Sequence, residues 1–176
     1  MRRRSTKTTK EPRTATEERK RTFDRAVKLL AAKPRSVAEL RERLIRSRGV
    51  DKATVEEVIS RLSEYGYLDD ERFAFSYASL KVKQRPIGRR RLAQELKMKK
   101  VQASVADEAL ELVYAETREE DLIDRAIEKR LRIRGRPKNR IEAKSLFDHL
   151  LRLGFEYELV SERVRSLVTH ENDDLE

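Results

Sequence analysis

The chain has 176 residues, 42% of them charged and 38% hydrophobic, with a net charge of +10 and a pI near 9.9. An average globular protein is about 25% charged, so one large central core is disfavoured, and the basic balance points to acidic partners. With no cysteine, disulfide and thiolate chemistry are excluded; no apolar run approaches the ~20 residues of a membrane span, and the basic N-terminus lacks the apolar core of a signal peptide, so a cytoplasmic location is expected.

Residues 1–16 carry Arg2, Arg3, Arg4, Lys7, Lys10 and Arg13 against Glu11 alone, with no apolar periodicity. This predicts a disordered basic tail that can add phosphate contacts. Phe23, Ala26, Val27, Leu29 and Leu30 then mark an amphipathic helix, which Pro34 ends. Ser36 to Glu39 reads as a capping box for a second helix with Leu40, Leu44 and Ile45 on its apolar stripe, closed at Gly49. Asp51 caps a third helix bearing Val55, Val58, Ile59 and Leu62, and Gly66 suits its left-handed C-cap.

The next unit opens at Asp69 and Asp70, both good N-caps, with Glu71 adding charge that the helix dipole favours. With Asp69 as cap, Leu68 and Phe73 hold the positions of a hydrophobic staple. Phe73, Tyr77 and Leu80 recur at helical spacing until Pro86. A helix over about 88–99 follows, and a third is predicted after Ser104, with Ser104 and Asp107 as an approximate capping box. In the last unit a longer helix begins after Thr117 and reaches about Ile133, with Gly135 and Pro137 as breakers. Asn139 to Glu142 signals the next N-terminus, Gly154 its end, and the final helix spans about 156–168.

The three units align. Leu40, Leu92 and Leu146 are equivalent, as are Leu44, Leu96 and Leu150, Val50, Val101 and Phe155, and Ala26, Ala78 and Ala126. The matching offsets extend through three helices and two turns, so the chain is predicted to be all-α: three tandem three-helix repeats, helix-turn-helix-like, in an elongated, curved arrangement. The repeats are 17–68, 69–117 and 118–169, preceded by the basic tail and followed by an acidic tail, 170–176. Units of about 50 residues are marginal alone, so neighbours are expected to pack as in a short solenoid.

Charge is concentrated. Residues 81–100 hold nine Lys or Arg against one acid, and residues 125–140 hold eight against one, whereas residues 101–124 hold eight acids and one Arg. Arg89, Arg90 and Arg91 open the second helix of the middle repeat, Arg136, Lys138 and Arg140 lie at the equivalent place in the third, and Arg41, Arg43, Arg46 and Arg48 decorate that helix in the first. Such a ladder suits a phosphate backbone or an acidic groove; the plainer reading is solvated helix faces with i,i+4 pairs.

Catalytic signatures are missing. Asp69, Asp70 and Glu71 are consecutive at a helix start and point in different directions, which fits capping better than metal binding. His149 and His170 have no partner at metal-ligand spacing. Pro86 to Arg91 lacks the glycine spacing and Lys-Ser/Thr ending of a P-loop. No enzyme, metal or cofactor is expected. Tyr65, Tyr67, Phe73, Phe75 and Tyr77 could stack on bases, but their helical spacing beside leucines favours core, with Tyr67 the best candidate for exposure.

One stretch carries a resemblance. Tyr65, Gly66, Tyr67, Leu68, Asp69, Asp70, Glu71, Arg72, Phe73 and Ala74, then Tyr77, then Gly88, Leu92, Glu95 and Leu96 resemble the signature region of the RecX family, regulators of the RecA recombinase. The resemblance covers residues 22–168 and implies the same repeat architecture. It implies a protein that binds RecA, along the groove of the RecA–DNA filament, and restrains ATP hydrolysis, strand exchange and RecA-stimulated repressor cleavage in recombination, DNA repair and SOS control; a monomer is expected. Within that frame Arg89, Arg90 and Arg91 are expected to meet RecA or DNA, helped by Lys83, Arg85, Lys97, Lys99 and Lys100 and by Arg136, Lys138 and Arg140. Where family members often have a Lys-Gly turn, this chain has Met98-Lys99-Lys100-Val101.

A different class is a stand-alone, sequence-independent DNA-binding module. The third helices begin at Asp51, Ser104 and Glu156 with acidic or apolar residues, which disfavours base readout in the major groove. A helical adaptor with another acidic partner is a third option.

Overall fold

The structure is a computed structural model that describes residues 14–47 and 50–173. The expectations for the basic arm over 1–13, the turn at Arg48 and Gly49, and the last residues of the acidic tail lie outside the described residues. Among the described residues there are nine helices and no strand: α1 Ala15–Ala32, α2 Val37–Ile45, α3 Lys52–Glu64, α4 Asp70–Gln84, α5 Arg89–Met98, α6 Ala103–Glu116, α7 Glu119–Arg134, α8 Arg140–Arg152 and α9 Tyr157–Asp173. The chain is all-α. It divides into two bodies, one of residues up to 35 with 39–68, the other of 36–38 with 69 onward.

In the first body, α1 packs on α3 around buried Ala26, Leu40, Leu44, Val55, Val58, Ile59 and Leu62. The first helix starts at Ala15, inside the stretch read as tail, because Thr14 caps it by accepting the Glu17 amide. Asp51 caps α3, accepting the Thr54 amide (2.6 Å) and hydroxyl (3.1 Å). The amide hydrogen bond holds its carboxyl below the usual range, against some desolvation. Gly66 ends this body's last helix in the left-handed region (φ 71°), which frees the Tyr67 and Leu68 amides to donate to the Leu62 carbonyl.

In the second body the middle and last repeats share one core, from Ala74 and Ala78 through Leu92, Leu96 and Leu110 to Leu122, Ile123, Leu150 and Phe155. Three of the four aligned sets prove equivalent in burial: Ala26, Ala78 and Ala126, Leu40, Leu92 and Leu146, and Leu44, Leu96 and Leu150 are all buried, whereas in the fourth Val101 and Phe155 are buried and Val50 is half-buried. Fully burying one such leucine stabilises by about 1.5–3 kcal/mol.

One local reading in this body changes. Ser104 does not cap α6; the helix starts at Ala103 after Gln102, whose side chain makes no capping bond. The start is set by repeat register, since Gln102 is equivalent to Asp51 and Glu156, and by Val101, whose amide closes the preceding turn on the Leu96 carbonyl (3.2 Å). In α9 the repeat offset that is alanine in α6 is Arg163, which reaches out to Asp124 on α7 (2.9 Å).

The second body contains a repeated joint. The amides of Gly88 and Arg90 donate to the carbonyls of Leu153 (2.9 Å) and Gly154 (3.1 Å), and the Arg89 amide donates to Glu119 Oε1 (2.9 Å). The backbones touch: a Cβ on Gly88 would overlap the Gly154 carbonyl, and one on Gly154 would overlap Arg91. Residues 36–38 make the same pair of contacts one repeat earlier, the Ser36 hydroxyl donating to the Lys99 carbonyl and the Val37 amide to Asp70 Oδ1 (2.8 Å).

Candidate partner-binding surface

The signature residues do structural work first. Asp69 caps α4 by accepting the Arg72 amide (2.9 Å), whereas Asp70 receives the Val37 amide. Ala74, Leu92 and Leu96 are core. Phe73 stacks on Tyr77 at 6.0 Å, both half-buried. Glu95 is buried on α5 and gathers four partners: Tyr77 Oη (2.9 Å), Arg85 Nη2 (2.8 Å), Lys81 Nζ (3.7 Å) and Arg91 Nε (3.6 Å). It ties α4 to α5 across the turn at Pro86.

Tyr65 and Tyr67 are exposed, Tyr67 at 64%. Tyr65 lies edge-on to Phe23 and Tyr67, and the Arg61 guanidinium sits 5.4 Å from the Phe23 and Tyr65 rings. This aromatic–arginine patch belongs to the first body.

The expected basic site divides by what each cation already holds. Arg85 and Arg91 are committed to Glu95, and the Arg91 guanidinium also donates to the Arg152 carbonyl (3.0 Å). Arg89 pairs with Glu111. Lys83, Arg90 and Lys97 are exposed and form no ion pair among the described residues. Lys99 and Lys100 lie in the turn after α5, and Lys100 takes φ 59°, the left-handed position that Gly154 holds in the last repeat. Arg136, Lys138 and Arg140 are exposed around the α7–α8 turn; the Lys138 amide donates to Glu142 Oε2 (2.8 Å) and Asn139 caps α8 at the Glu142 amide (2.9 Å). In the first repeat the ladder is partly neutralised: Arg41 makes a two-point pair with Glu56 (2.8 and 3.1 Å) and Arg46 pairs with Glu42 (2.8 Å), whereas Arg43 is exposed with no ion pair among the described residues and Arg48 lies outside them.

Sequence reading missed a further basic group. Arg130, Arg134 and Arg152 are unpaired among the described residues, and His149 lies by two of them. The i,i+4 spacing of Arg130 and Arg134 was the available signal; their proximity to Arg152 needed the fold.

The start of α5 shows how acids serve at a distance. Glu119 accepts the Arg89 amide, and burial raises its pKa above the usual 4.5 despite that bond and the Arg89 charge. Tyr114 donates to the Ile87 carbonyl (2.9 Å), and burial pushes its phenol well up, keeping the proton on. Among the described residues no cluster of three or more His, Asp or Glu could hold a metal ion, and no helix is long and apolar enough to cross a membrane.

Comparison with known proteins locates the fold. Residues 23–62 match the family model described as RecX, first three-helix domain, and residues 69–110 match that of RecX, second three-helix domain. The chain is 42% identical over 110 residues to the regulatory protein RecX of Treponema pallidum (strain Nichols), covering 62% of this chain and 66% of that protein, just under two thirds of its length. It is 31% identical over 150 residues to the regulatory protein RecX of Streptomyces coelicolor, covering 85% and 79%. The crystal structure of RecX from Lactobacillus salivarius superposes with a TM-score of 0.76 at 19% identity, over 88% of this chain and 99% of that one, a likeness of fold.

Proposed function

This chain belongs to the RecX family of regulatory proteins, and we propose that it acts without catalysis, in the cytoplasm and as a monomer, on the RecA recombinase. It binds the active RecA–DNA filament along its groove and restrains ATP hydrolysis, strand exchange and repressor cleavage. The observation that carries the reading is the set of exposed cations without an ion pair among the described residues, Lys83 on α4 and Arg90 and Lys97 on α5, two helices tied together by Glu95 and the core. A rigid helix with free charge on its outer face suits an acidic groove, and several weak contacts in one body act at high effective concentration. Arg136, Lys138 and Arg140 supply further contacts of the same kind.

The test is DNA-dependent ATP hydrolysis by the RecA of the same organism, with this protein titrated in. Hydrolysis is expected to fall. The variant Lys83→Glu/Arg90→Glu/Lys97→Glu is expected to lose that inhibition while keeping its helical circular dichroism, because none of the three is spent on an internal ion pair. Arg85, Arg89 and Arg91 are poorer probes, since their loss also disturbs Glu95 or Glu111. No fall with the wild type, or full inhibition by the triple variant, would overturn the reading of function or of site respectively.

A further inference from the structure

The turn between α7 and α8 shapes a cavity of about 210 Å³. Leu131, Pro137 and Leu146 line it with apolar surface, and Ser145, which is exposed, lines it too. Arg130 and Arg134, one helical turn apart, face the same cavity and form no ion pair among the described residues. Glu142 is the one acid in that lining, and its two oxygens accept from the Lys138 amide (2.8 Å) and the Asn139 side chain (3.4 Å). The rim is thus net cationic, and exposed Arg136, Lys138 and Arg140 at the same turn add to it. Large apolar side chains stand beside the charges. Ile133, 69% exposed, lies about one helical turn from Arg130, and Ile141, 81% exposed, one turn from Ser145.

Size and chemistry select the occupant. Small-molecule sites hold about 300–1,000 Å³; this cavity is smaller and takes one bulky side chain. A phosphate backbone would use the arginines but leave the cavity and both isoleucines in water. A protein segment uses both, because interfaces concentrate their binding energy in an apolar anchor seated in a pocket, with charged contacts around it. Guanidinium groups match carboxylates two oxygens at a time. We propose that this cavity and its rim form a docking site for an acidic peptide segment of a partner protein, with one leucine or phenylalanine filling the cavity and flanking carboxylates pairing with Arg130 and Arg134. The site uses none of the α5 cations and does not rest on the action on RecA.

The experiment follows the amide signals of the isotope-labelled full chain by NMR while the peptide Glu-Asp-Asp-Leu-Asp-Glu is added at ~0.15 M salt, with neither RecA nor DNA present. Saturable shifts are expected to centre on Gly135 and Ser145. Replacing the leucine of the peptide by alanine should weaken binding about 30-fold, the loss of a seated anchor. Ser145→Phe, which fills the cavity from an exposed position, should weaken it as much, and Arg130→Gln/Arg134→Gln about fivefold. The absence of saturable shifts sinks the proposal. Equal binding of the alanine peptide would reduce the contact to loose charge attraction and overturn it, as would unchanged binding by either variant. The same shifts from an equal amount of oligothymidine, or from concentrating the protein alone, would overturn it too, giving this face to nucleic acid or to a second copy of the chain.

Discussion

At the scale of residues, Glu95 turns a charge-rich stretch into a specific one. Its carboxylate accepts from Tyr77 and Arg85 in a half-dry site, where removing one partner leaves the others with unmet polar groups. Glu95→Ala should cost about 2 kcal/mol by urea denaturation, more than the charge count of its surroundings would suggest, and Tyr77→Phe about 1 kcal/mol. A double-mutant cycle should show coupling between them; additive losses would break the proposed link. Lys100 is the opposite case, a residue that its own backbone does not favour. A side chain at φ 59° carries left-handed strain that glycine would not. Lys100→Gly should stabilise by about 0.5–1 kcal/mol, read as a higher urea midpoint at unchanged slope. A lower midpoint would mean that the lysine side chain matters more there than the turn.

At the scale of elements, helix starts separate what the sequence discloses from what it conceals. Asp51, Asp69 and Asn139 each cap the helix that follows within three residues, so local chemistry was enough to read them. The start of α5 has only Gly88 before it, and its acid, Glu119, lies thirty residues on at the head of α7. No local pattern announces such a partner. The same gap hid the grouping of Arg130, Arg134 and Arg152, and hid that Arg85 and Arg91 are bound inward, since sequence shows charge but not its neighbours. Glu119 also yields a pH prediction. The unfolded chain gives up this proton near 4.5 and the folded chain only at higher pH. The folded state therefore holds the extra proton between those points; the contribution is fully present below 4.5 and is lost as pH rises through the folded value. Glu119→Gln, uncharged throughout and still able to accept from Arg89, should flatten that fall in melting temperature between pH 4.5 and 7. An unaltered pH profile would count against burial as the cause.

At the scale of the whole chain, the repeat register was legible because Leu40, Leu92 and Leu146 recur with their neighbours, and all three are buried. How repeats divide into bodies was not, because that depends on backbone contacts such as Gly88 on Gly154, which have no side-chain signature. Since the middle and last repeats share one core, a chain ending at residue 118 should melt about 10 °C or more below the full chain, a loss of roughly 3 kcal/mol or more at this size. Equal melting would mean that the middle repeat stands without the last. The joint has a further consequence for anyone wishing to build longer proteins from this unit. Residues 36–38 and 88–90 each offer backbone donors that the following repeat takes up. The head of α8 offers none of that kind, because Asn139 caps it and Glu142 folds back onto the Lys138 amide. Duplicating the last repeat would thus give a polymer with a dead end, whereas a spliced copy of the middle repeat, carrying its own glycine and arginine at that head, would leave a living one.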